Sequence, residues 1–416
     1  MKKLKYRLIY LNLIFTMLVM SALFLGGCGQ NEAPGDASDN IVKIGIIDTY
    51  SGPAAGYAEH SLAGLKLALD EAKKDGDSDF EFQLITRDSE FQVDKGLEWA
   101  RELVEREQVD ILVGTINSSV ALAVSEYAKE KKVPFLVWNA QSQKITGEKG
   151  HRYVFGMMPN ATMSGRTGAV VMKEKPFTKY WLAGSDYEYG HAIVDSFWSS
   201  LKEAKPDVEK VGESWWPVRE ADLTPYFNAI KMSKPEVLVI GAGGADMIPV
   251  MKTIAATGLN EEMEIWIHTG TDLATLSPLG AEAPENVMGT ATYHYYYPDT
   301  PENKAFVESF RAANDMDPGF TSLNGYVTGL FITKGLKQVG QMNREEFVDA
   351  LEGLSVDGPI GEIKLREYDH QVIAPIFFGV TGKADGNPYL ISKDIITVEG
   401  QDIAVPIEEI KNLRNQ

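Results

Sequence analysis

Short apolar runs alternate with amphipathic stretches from residue 41 onward. The apolar runs, which predict strands, are residues 41–47, 80–86, 109–114 and 134–137. The stretches with apolar residues at helical spacing, which predict helices, are residues 61–74, 93–107 and 118–131. Strands that alternate with helices of this length usually form a parallel sheet with helices on both faces, so this part of the chain is predicted to be an α/β unit.

The alternation pauses at residues 151–159 and then starts again. The second round contains predicted helices at residues 161–173, 189–203, 221–232 and 245–257. Its predicted strands are residues 179–184, 208–216, 236–240 and 264–268. Two rounds of one pattern indicate two similar lobes rather than a single wide sheet.

The pattern changes after residues 287–297. Three predicted helices follow one another at residues 303–313, 326–338 and 344–352, and a strand-rich tail covers residues 358–405. Such a series of helices fits if the chain returns to the first lobe, completes it and crosses over once more. We therefore expect lobe 1 to comprise residues 41–158 and 290–371, and lobe 2 to comprise residues 159–289 and 372–416.

The N-terminus has the organisation of a secretory signal. Four basic residues among the first seven precede an apolar run at residues 8–25, and Leu25-Gly26-Gly27-Cys28 ends it with small residues. Cys28 is the only cysteine of the chain, and it stands where lipoprotein signals are cleaved and lipidated. The run predicts a lipoprotein signal peptide at residues 1–27, although an uncleaved anchor helix is the alternative.

The segment that follows supports an exported, lipid-anchored protein at the extracytoplasmic face of the cell membrane. Residues 28–40, rich in Gly, Asp, Asn and Ala, predict a flexible tether. Removal of residues 1–27 takes four basic residues and no acid, so the formal charge changes from −19 to −23. Such acidity argues against nucleic acid or an anionic membrane surface as a partner.

The sequence carries few signs of catalysis, and we predict neither an enzyme nor a metal or cofactor site. The motifs of serine hydrolases, zinc peptidases, dithiol oxidoreductases and P-loop proteins are absent. The glycine-rich turn at residues 241–246 only superficially resembles a dinucleotide motif, since Asp246 replaces its third glycine. The six histidines are scattered, and the pair Asp369-His370 has no accompanying nucleophile, so we interpret it as part of a crossover.

A polar turn follows most of the predicted strands. Open α/β sheets bind ligands at this edge, so the turns supply the candidate ligand-binding residues. Those predicted from the turns are Asn117, Ser118, Ser119, Asn139, Ala140, Ser142, Tyr189, Thr269 and Asp272. Ser118 or Ser119 also begins a helix, where free N–H groups and hydroxyls attract a carboxylate, although ordinary helix capping explains a serine there equally well.

These motifs together resemble a known family. Residues 42–47, followed by Ser51-Gly52-Pro53 and Gly64, resemble the opening of type I periplasmic binding proteins, in particular the leucine/isoleucine/valine-binding branch. The similarity continues through residues 114–119, 134–146, 185–190 and 358–361. The resemblance implies two Rossmann-like lobes with parallel sheets, joined by a three-segment hinge and closing over one ligand.

The resemblance also implies roles for particular residues. A carboxylate of the ligand would be held by Ser118, Ala140 and Ser142, and tyrosines matching family positions are Tyr57, Tyr189 and Tyr297. Gly243 stands where the family has a lining tyrosine, which reshapes the wall of lobe 2.

The acidic residue that meets the ligand ammonium in the family has no clean counterpart. Asp272 is displaced by a few positions, and it would suit the N-cap of a helix beginning near Leu273. If Asp272 reaches the cleft, the ligand is an α-amino acid. If it only caps the helix, the cleft offers His268, Thr269 and Thr271, and a carboxylate or amide without an ammonium binds better than leucine. The displaced position favours capping.

The function that the resemblance implies is capture of a small carboxylate- or amide-bearing solute for an ABC importer. Its partners would be the solute, the membrane permease and its ATPase, and the protein would act as a lipid-anchored monomer. A ligand-sensing receptor subunit of the same fold is an alternative. Residues 366–371 resemble relatives that take aromatic or other organic acids, which is an alternative solute class.

Overall fold

The structure, a computed structural model, describes residues 40–415. The predicted signal peptide, Cys28 and all of the predicted tether except Asn40 lie outside these residues. Within the described range, no helix is both long and apolar enough to cross a membrane.

The described residues form fifteen strands and thirteen α-helices. The strands are β1 (Ile41–Asp48), β2 (Glu81–Asp88), β3 (Ile111–Gly114), β4 (Phe135–Val137), β5 (Val154–Gly156), β6 (Lys179–Ser185), β7 (Glu209–Trp216), β8 (Val237–Gly241), β9 (Glu264–His268), β10 (Met288–Ala291), β11 (Ser355–Gly358), β12 (Gly361–Leu365), β13 (Val372–Ile373), β14 (Ile376–Gly382) and β15 (Ile391–Val398). The helices are α1 (Ala55–Lys74), α2 (Val93–Glu105), α3 (Ser118–Lys131), α4 (Ala161–Met172), α5 (Glu188–Ala204), α6 (Thr224–Ser233), α7 (Met247–Thr257), α8 (Leu273–Leu279), α9 (Pro301–Asn314), α10 (Phe320–Val339), α11 (Arg344–Leu351), α12 (Gly400–Ile403) and α13 (Ile407–Arg414).

The first sheet has five parallel strands in the order β2-β1-β3-β4-β5. Alternate side chains of β1 point to opposite faces, so Ile44 and Ile46 join a core with Phe331 of α10. Ile47 joins the core on the other face, with Leu103 of α2. All five side chains are buried, and each contributes about 1.5–3 kcal/mol through removal of apolar surface from water.

Two helices of this first unit approach each other closely because glycine lies at their contact. A Cβ atom on Gly64 of α1 would lie 2.0 Å from the carbonyl oxygen of Ser322, and one on Gly325 of α10 would lie 1.9 Å from that of Ser61. A larger residue at either position would push α1 and α10 apart. α1 and α10 contain the predicted helices at residues 61–74 and 326–338, extend beyond them, and pack directly on each other.

The second sheet has seven strands in the order β15-β14-β10-β9-β8-β6-β7. The five strands β6 to β10 are parallel, and β14 and β15 add an antiparallel edge. Helices α4 and α5 cover one face and α6, α7 and α8 cover the other. Strands β11, β12 and β13 form a small antiparallel sheet.

The chain passes between the two large sheets three times. It leaves the first sheet after β5, returns to the first unit after β10, and leaves again after β13. This is the predicted fold class, an α/β protein with two parallel-sheet lobes joined by three segments. The expected boundary at residue 290 falls inside β10, which pairs within the second sheet. β5 lies at residues 154–156, where the sequence pattern pauses, so it was not predicted.

Candidate ligand-binding site

The carboxyl ends of the two sheets meet at one cleft. Ser142, in the loop after β4, donates a hydrogen bond from its hydroxyl to Oε1 of Glu188 at 3.2 Å, at the start of α5. Lys144 places Nζ 3.4 Å from the same carboxylate oxygen. The turn after β4 in the first unit therefore touches the turn after β6 in the second.

The start of α3 is capped by Asn117 rather than by a serine. Oδ1 of Asn117 accepts hydrogen bonds from the N–H groups of Ser119 at 2.8 Å and Val120 at 3.2 Å. The hydroxyl of Ser118 is therefore not needed as a cap, and it accepts the N–H of Ser142 at 3.3 Å. The side chain of Ser119 is exposed. The structure thus brings Ser118 and Ser142 together, and it leaves Ser119 at the surface.

Asn139 is buried and committed to the packing of α1 against α10. Its Nδ2 donates to Oγ of Ser61 at 2.8 Å, and its Oδ1 accepts from Nδ2 of Asn324 at 2.9 Å. Ala140 beside it is 7% exposed. The side chain of Asn139 holds this turn in position. Ala140 itself contributes only main-chain groups and a methyl group.

Asp272 lies at the start of α8 and is 3% exposed. Its Oδ1 accepts the N–H of Ala274 at 2.8 Å, so the predicted helix cap is present. The same carboxylate also acts on the cleft, because burial raises the pKa values of Tyr57, Tyr189 and Tyr296 and the charge of Asp272 adds to each increase. The predicted cap is therefore present, and the same carboxylate lies close to tyrosines of both units.

Tyr57 and Tyr189 bring the two units together around Asp272. Tyr57 belongs to α1 and Tyr189 to α5, and Tyr57 adds to the increase that burial causes in the pKa of Tyr189. Gly243 is the reason that the ring of Tyr189 fits, since a Cβ atom at Gly243 would lie 2.7 Å from Cε1 of Tyr189. Because Gly243 has no side chain, Tyr189 packs into the space beside it.

The turn at the end of β9 contains Thr269, which was predicted as a ligand-binding residue, and His268, which was named as a substitute for Asp272. His268 is 1% exposed; its Nδ1 lies 2.9 Å from Oγ1 of Thr290, and its Nε2 has no hydrogen-bond partner among residues 40–415. Burial lowers the pKa of His268 to about 3, so the ring is neutral. Thr269 adopts a left-handed backbone conformation, with φ of 64°, and forms the turn itself.

The structure separates Tyr297 from its neighbour Tyr296. The hydroxyl of Tyr297 lies 2.9 Å from Oγ1 of Thr397, and its ring packs against Phe377. Tyr296 is the tyrosine of this segment that responds to the charge of Asp272. No sequence signal distinguishes the two, because they are adjacent residues of one type in an irregular segment.

A buried carboxyl group that the sequence analysis missed lies at the end of β1. Asp48 accepts hydrogen bonds from the N–H groups of Thr49 at 2.8 Å and Ile116 at 3.0 Å, from Oγ1 of Thr115 at 3.2 Å and from Nε1 of Trp138 at 2.6 Å. It ties together the ends of β1, β3 and β4. Asp48 therefore fixes the turns that carry Ser118 and Ala140.

The crossover interpretation of residues 366–371 agrees with the contacts there. Arg366 pairs with Asp369, with 2.7 Å between Nε and Oδ1. His370 stacks on Phe155 of β5, with 4.3 Å between ring centroids, and lies 3.1 Å from the carbonyl oxygen of Val154. These residues hold the third connecting segment against the first sheet.

Comparison with known proteins agrees with this geometry. The sequence pattern of the periplasmic binding protein family matches residues 41–387, and the chain belongs to this family. Its two lobes and parallel sheets define it as a type I member.

Individual relatives cover most of the chain. The Leu/Ile/Val-binding protein homolog 6 of Brucella melitensis is 29% identical over 374 residues, which are 87% of this chain and 93% of the relative. The ABC transporter substrate-binding protein from Sphaerobacter thermophilus is 26% identical with a TM-score of 0.79, over 86% of this chain and 98% of that one. A solute-binding protein of Rhodopseudomonas palustris BisB5, solved in complex with 3,4-dihydroxybenzoic acid, is 22% identical with a TM-score of 0.75, over 87% and 98%.

Proposed function

We propose that this protein is the lipid-anchored, extracytoplasmic substrate-binding subunit of an ABC importer of the branched-chain amino acid type. The units built around the first and the second sheet act as two lobes that close over one small solute. Two contacts between strand-end turns of the two sheets support the proposal: Ser142, beside Ser118, bonds to Glu188, and Tyr57 lies close enough to Asp272 for its charge to add to the increase that burial causes in the pKa of the tyrosine.

The carboxylate of the solute binds to the first lobe. The hydroxyls of Ser118 and Ser142 and the main chain at Ala140 supply donors there, and a hydrogen bond to a charged acceptor contributes about 1.5–3 kcal/mol. Because the single proton of the Ser142 hydroxyl is donated to Glu188 at 3.2 Å, Ser142 has to release Glu188 before it can donate to the solute. Asn117 takes part through the capping that positions Ser118, and Asn139 through the packing that positions Ala140.

Asp272 provides the acceptor for an ammonium group. Its carboxylate is buried, and it accepts one hydrogen bond, from Ala274, among the described residues. No Lys or Arg within residues 40–415 forms an ion pair with it. A buried charge without a partner costs several kcal/mol, so a cation brought by the solute would be bound strongly. Tyr57 and Tyr189 complete the site, with Gly243 leaving room for the Tyr189 ring.

The solute class that fits these two groups best is an α-amino acid with its carboxylate on the first lobe and its ammonium on Asp272. The sequence alone favoured an acid or amide without an ammonium, because it treated capping and access to the cleft as exclusive. An organic acid remains the second candidate, since the Rhodopseudomonas relative binds 3,4-dihydroxybenzoic acid.

A thermal-shift screen of amino acids, amides and aromatic acids tests the solute class, because a bound ligand raises the melting temperature by mass action. Calorimetry with leucine and with 4-methylpentanoate, its analogue without the ammonium, then separates the two candidates. Tighter binding of leucine supports the amino-acid assignment. Tighter binding of 4-methylpentanoate assigns an organic acid, and no binding by any compound of the screen contradicts the proposed solute-binding function.

Delivery to a membrane permease and its ATPase, by a monomer anchored through Cys28, completes the proposal. The anchor is tested by Cys28→Ala, which should leave an uncleaved precursor that stays on the membrane through its apolar run. Processing and anchoring like wild type would contradict lipidation at Cys28. A receptor subunit that senses the solute is distinguished by its partner: co-purification with a permease supports transport, and co-purification with a kinase supports sensing.

A further inference from the structure

A small cavity lies beside Asp272, on the side of α8 that faces the second connecting segment. It is bounded by α8, residues 293–296 and residues 389–391, with Leu276, Pro318 and Leu390 among its apolar walls. The cavity has room for about one water-sized group. It is therefore too small for a ring but large enough for a hydroxyl or an amide oxygen.

Two buried polar atoms of the cavity wall have no partner in the part of the chain that the structure describes. They are Oγ1 of Thr271 and Nε2 of His294, and these residues are 1% and 2% exposed. Buried polar groups are nearly always hydrogen-bonded, because leaving one unpaired is costly. Two such atoms on the wall of one cavity indicate that another molecule supplies the missing hydrogen bonds.

His294 is held in one orientation by its neighbour Tyr296. The two rings stack with 5.2 Å between centroids, and Nδ1 of His294 lies 3.4 Å from the hydroxyl of Tyr296. That hydroxyl is itself fixed, since it accepts the N–H of Ser392 at 2.8 Å. Nε2 of His294 is thus a preorganised hydrogen-bonding group rather than a mobile one.

The cavity adjoins the proposed solute site at Asp272. Thr271, on the cavity wall, directly precedes Asp272 in the turn. The charge of Asp272 reaches Tyr296 of the cavity as well as Tyr57 and Tyr189 of the cleft. Thr271 and Tyr296 thus join the cavity wall to the surroundings of Asp272.

The cavity wall selects against a charged group. No Lys, Arg, Asp or Glu lines it among the described residues, and burial lowers the pKa of His294 to about 3, so its ring is neutral. A charged group placed there would lose its hydration without gaining a counter-ion. A purely apolar group would leave Thr271 and His294 unpaired.

We propose that this cavity is the distal subsite of the solute site, and that Thr271 and His294 bind an uncharged hydroxyl or amide at the end of the solute opposite to its carboxylate. This inference rests on the proposed function. It assigns the solute to the polar, uncharged members of its class, which differ from leucine and valine at this one position.

Pairs of compounds that differ by one terminal hydroxyl test the subsite. Tyrosine against phenylalanine and 4-hydroxybenzoate against benzoate cover both solute classes, with affinities measured by calorimetry. Binding of either pair tests the proposed function, whereas the ratio within a pair tests the subsite. We expect the hydroxylated member to bind at least about tenfold more tightly, because its absence leaves two buried polar groups unpaired. Equal binding within a pair overturns the subsite and leaves the proposed function intact.

Two substitutions test whether the cavity causes the preference for the hydroxylated compound. Thr271→Val and His294→Phe remove the hydrogen-bonding atoms while keeping the apolar volume, and each should reduce the preference to within about threefold. Thr333→Val is the matched control, since this buried hydroxyl donates to the carbonyl oxygen of Gly329 at 3.0 Å in α10. A preference that survives both cavity substitutions places the hydroxyl elsewhere and overturns the proposal.

The melting temperatures of the ligand-free proteins test the proposal even if none of the four compounds binds. Because the Thr271 hydroxyl has no partner in residues 40–415, Thr271→Val should melt at the same temperature as wild type or higher. Thr333→Val should melt lower, because it loses a hydrogen bond. If Thr271→Val melts lower by a similar amount, the Thr271 hydroxyl is satisfied within the protein, and the subsite assignment is wrong.

Discussion

Asp48 and Asp272 are buried carboxyl groups at corresponding ends of the two sheets, and they differ in what surrounds them. Asp48 accepts four hydrogen bonds, from two main-chain N–H groups, a hydroxyl and an indole. Asp272 accepts one, from the N–H of Ala274, among the residues described. Burial raises the pKa of both, and in Asp48 the four donors counteract that increase.

The difference separates a carboxyl group that holds the turns of the first lobe from one that, in the proposed function, serves the ligand. Asp48 is saturated by donors from β1, β3 and β4, so it fixes the turns of the first lobe and has no capacity left for a solute. Asp272 is only partly satisfied, and His268 and Thr271 beside it also have buried atoms without partners in residues 40–415. The first lobe is organised mainly by its own hydrogen bonds, whereas the second leaves several for the solute.

The largest effect is expected from Asp48→Ala. The substitution leaves four buried donors without an acceptor, and the free energy of unfolding should fall by about 3–5 kcal/mol. Urea unfolding followed by tryptophan fluorescence measures this change. Asp272→Ala is the matched control and should lose less than about 1.5 kcal/mol, since only one hydrogen bond to a helix cap is removed. Equal losses in the two variants would contradict the division between the two carboxyl groups.

Binding should show the opposite order. Asp272→Asn keeps the shape and the capping oxygen but removes the charge, so the affinity for the best-binding amino acid should fall by about 30-fold or more, as when one partner of a buried charge pair is lost. The affinity for the matching deaminated acid should change little. Calorimetry with both ligands, on wild type and on Asp272→Asn, measures the effect. If Asp272→Asn binds the amino acid like wild type, the ammonium lies elsewhere in the cleft.

Most of the fold could be predicted from the sequence because it depends on periodic patterns. Apolar strands such as Ile111–Gly114 are buried from end to end, and their alternation with helices predicted the parallel arrangement. β5 was missed because it lies where the alternation pauses, whereas β4, which is equally short, was found at its place in the alternation. The start of α1 at Ala55 was also missed, because its first residues lack the apolar spacing of residues 61–74.

The chemistry of the site was less predictable because it depends on partners distant in sequence. Asp48 and Trp138 are 90 residues apart, and Asn139 and Asn324 are 185 apart, so no local pattern reveals that these side chains are occupied. The turn after β9 was found by its position at a strand end. Whether Asp272 acts as a cap, as a ligand-binding group or as both required the positions of Tyr57 and Tyr189.

A smaller effect is expected from the serines of the first lobe. Ser118→Ala and Ser142→Ala each remove a hydroxyl next to the proposed carboxylate position, so affinity should fall by about tenfold or more for an amino acid and for its deaminated analogue alike. The equal effect on both ligands distinguishes these residues from Asp272. Ser119→Ala is the control, because this neighbouring hydroxyl is exposed, and it should change the affinity by no more than about twofold. Unchanged affinity in both Ser118→Ala and Ser142→Ala would remove the carboxylate from this position.

The smallest effect is a pH dependence that belongs to Asp272 alone. Burial raises its pKa from 3.8 to about 6, so the ligand-free protein binds a proton here that the unfolded chain has already lost. The contribution of this group to stability is therefore largest below pH 3.8 and falls as pH rises toward 6.

Ammonium binding needs the ionised form of Asp272, so amino-acid affinity should change in the opposite direction and rise about fourfold between pH 5.5 and 7.5. The neighbouring groups do not titrate in this window, because the pKa of His268 is lowered to about 3 and those of Tyr57 and Tyr189 are raised. Calorimetry across the window should show the rise for wild type with the amino acid and none for Asp272→Asn. The same rise in the variant would show that another group controls the pH dependence.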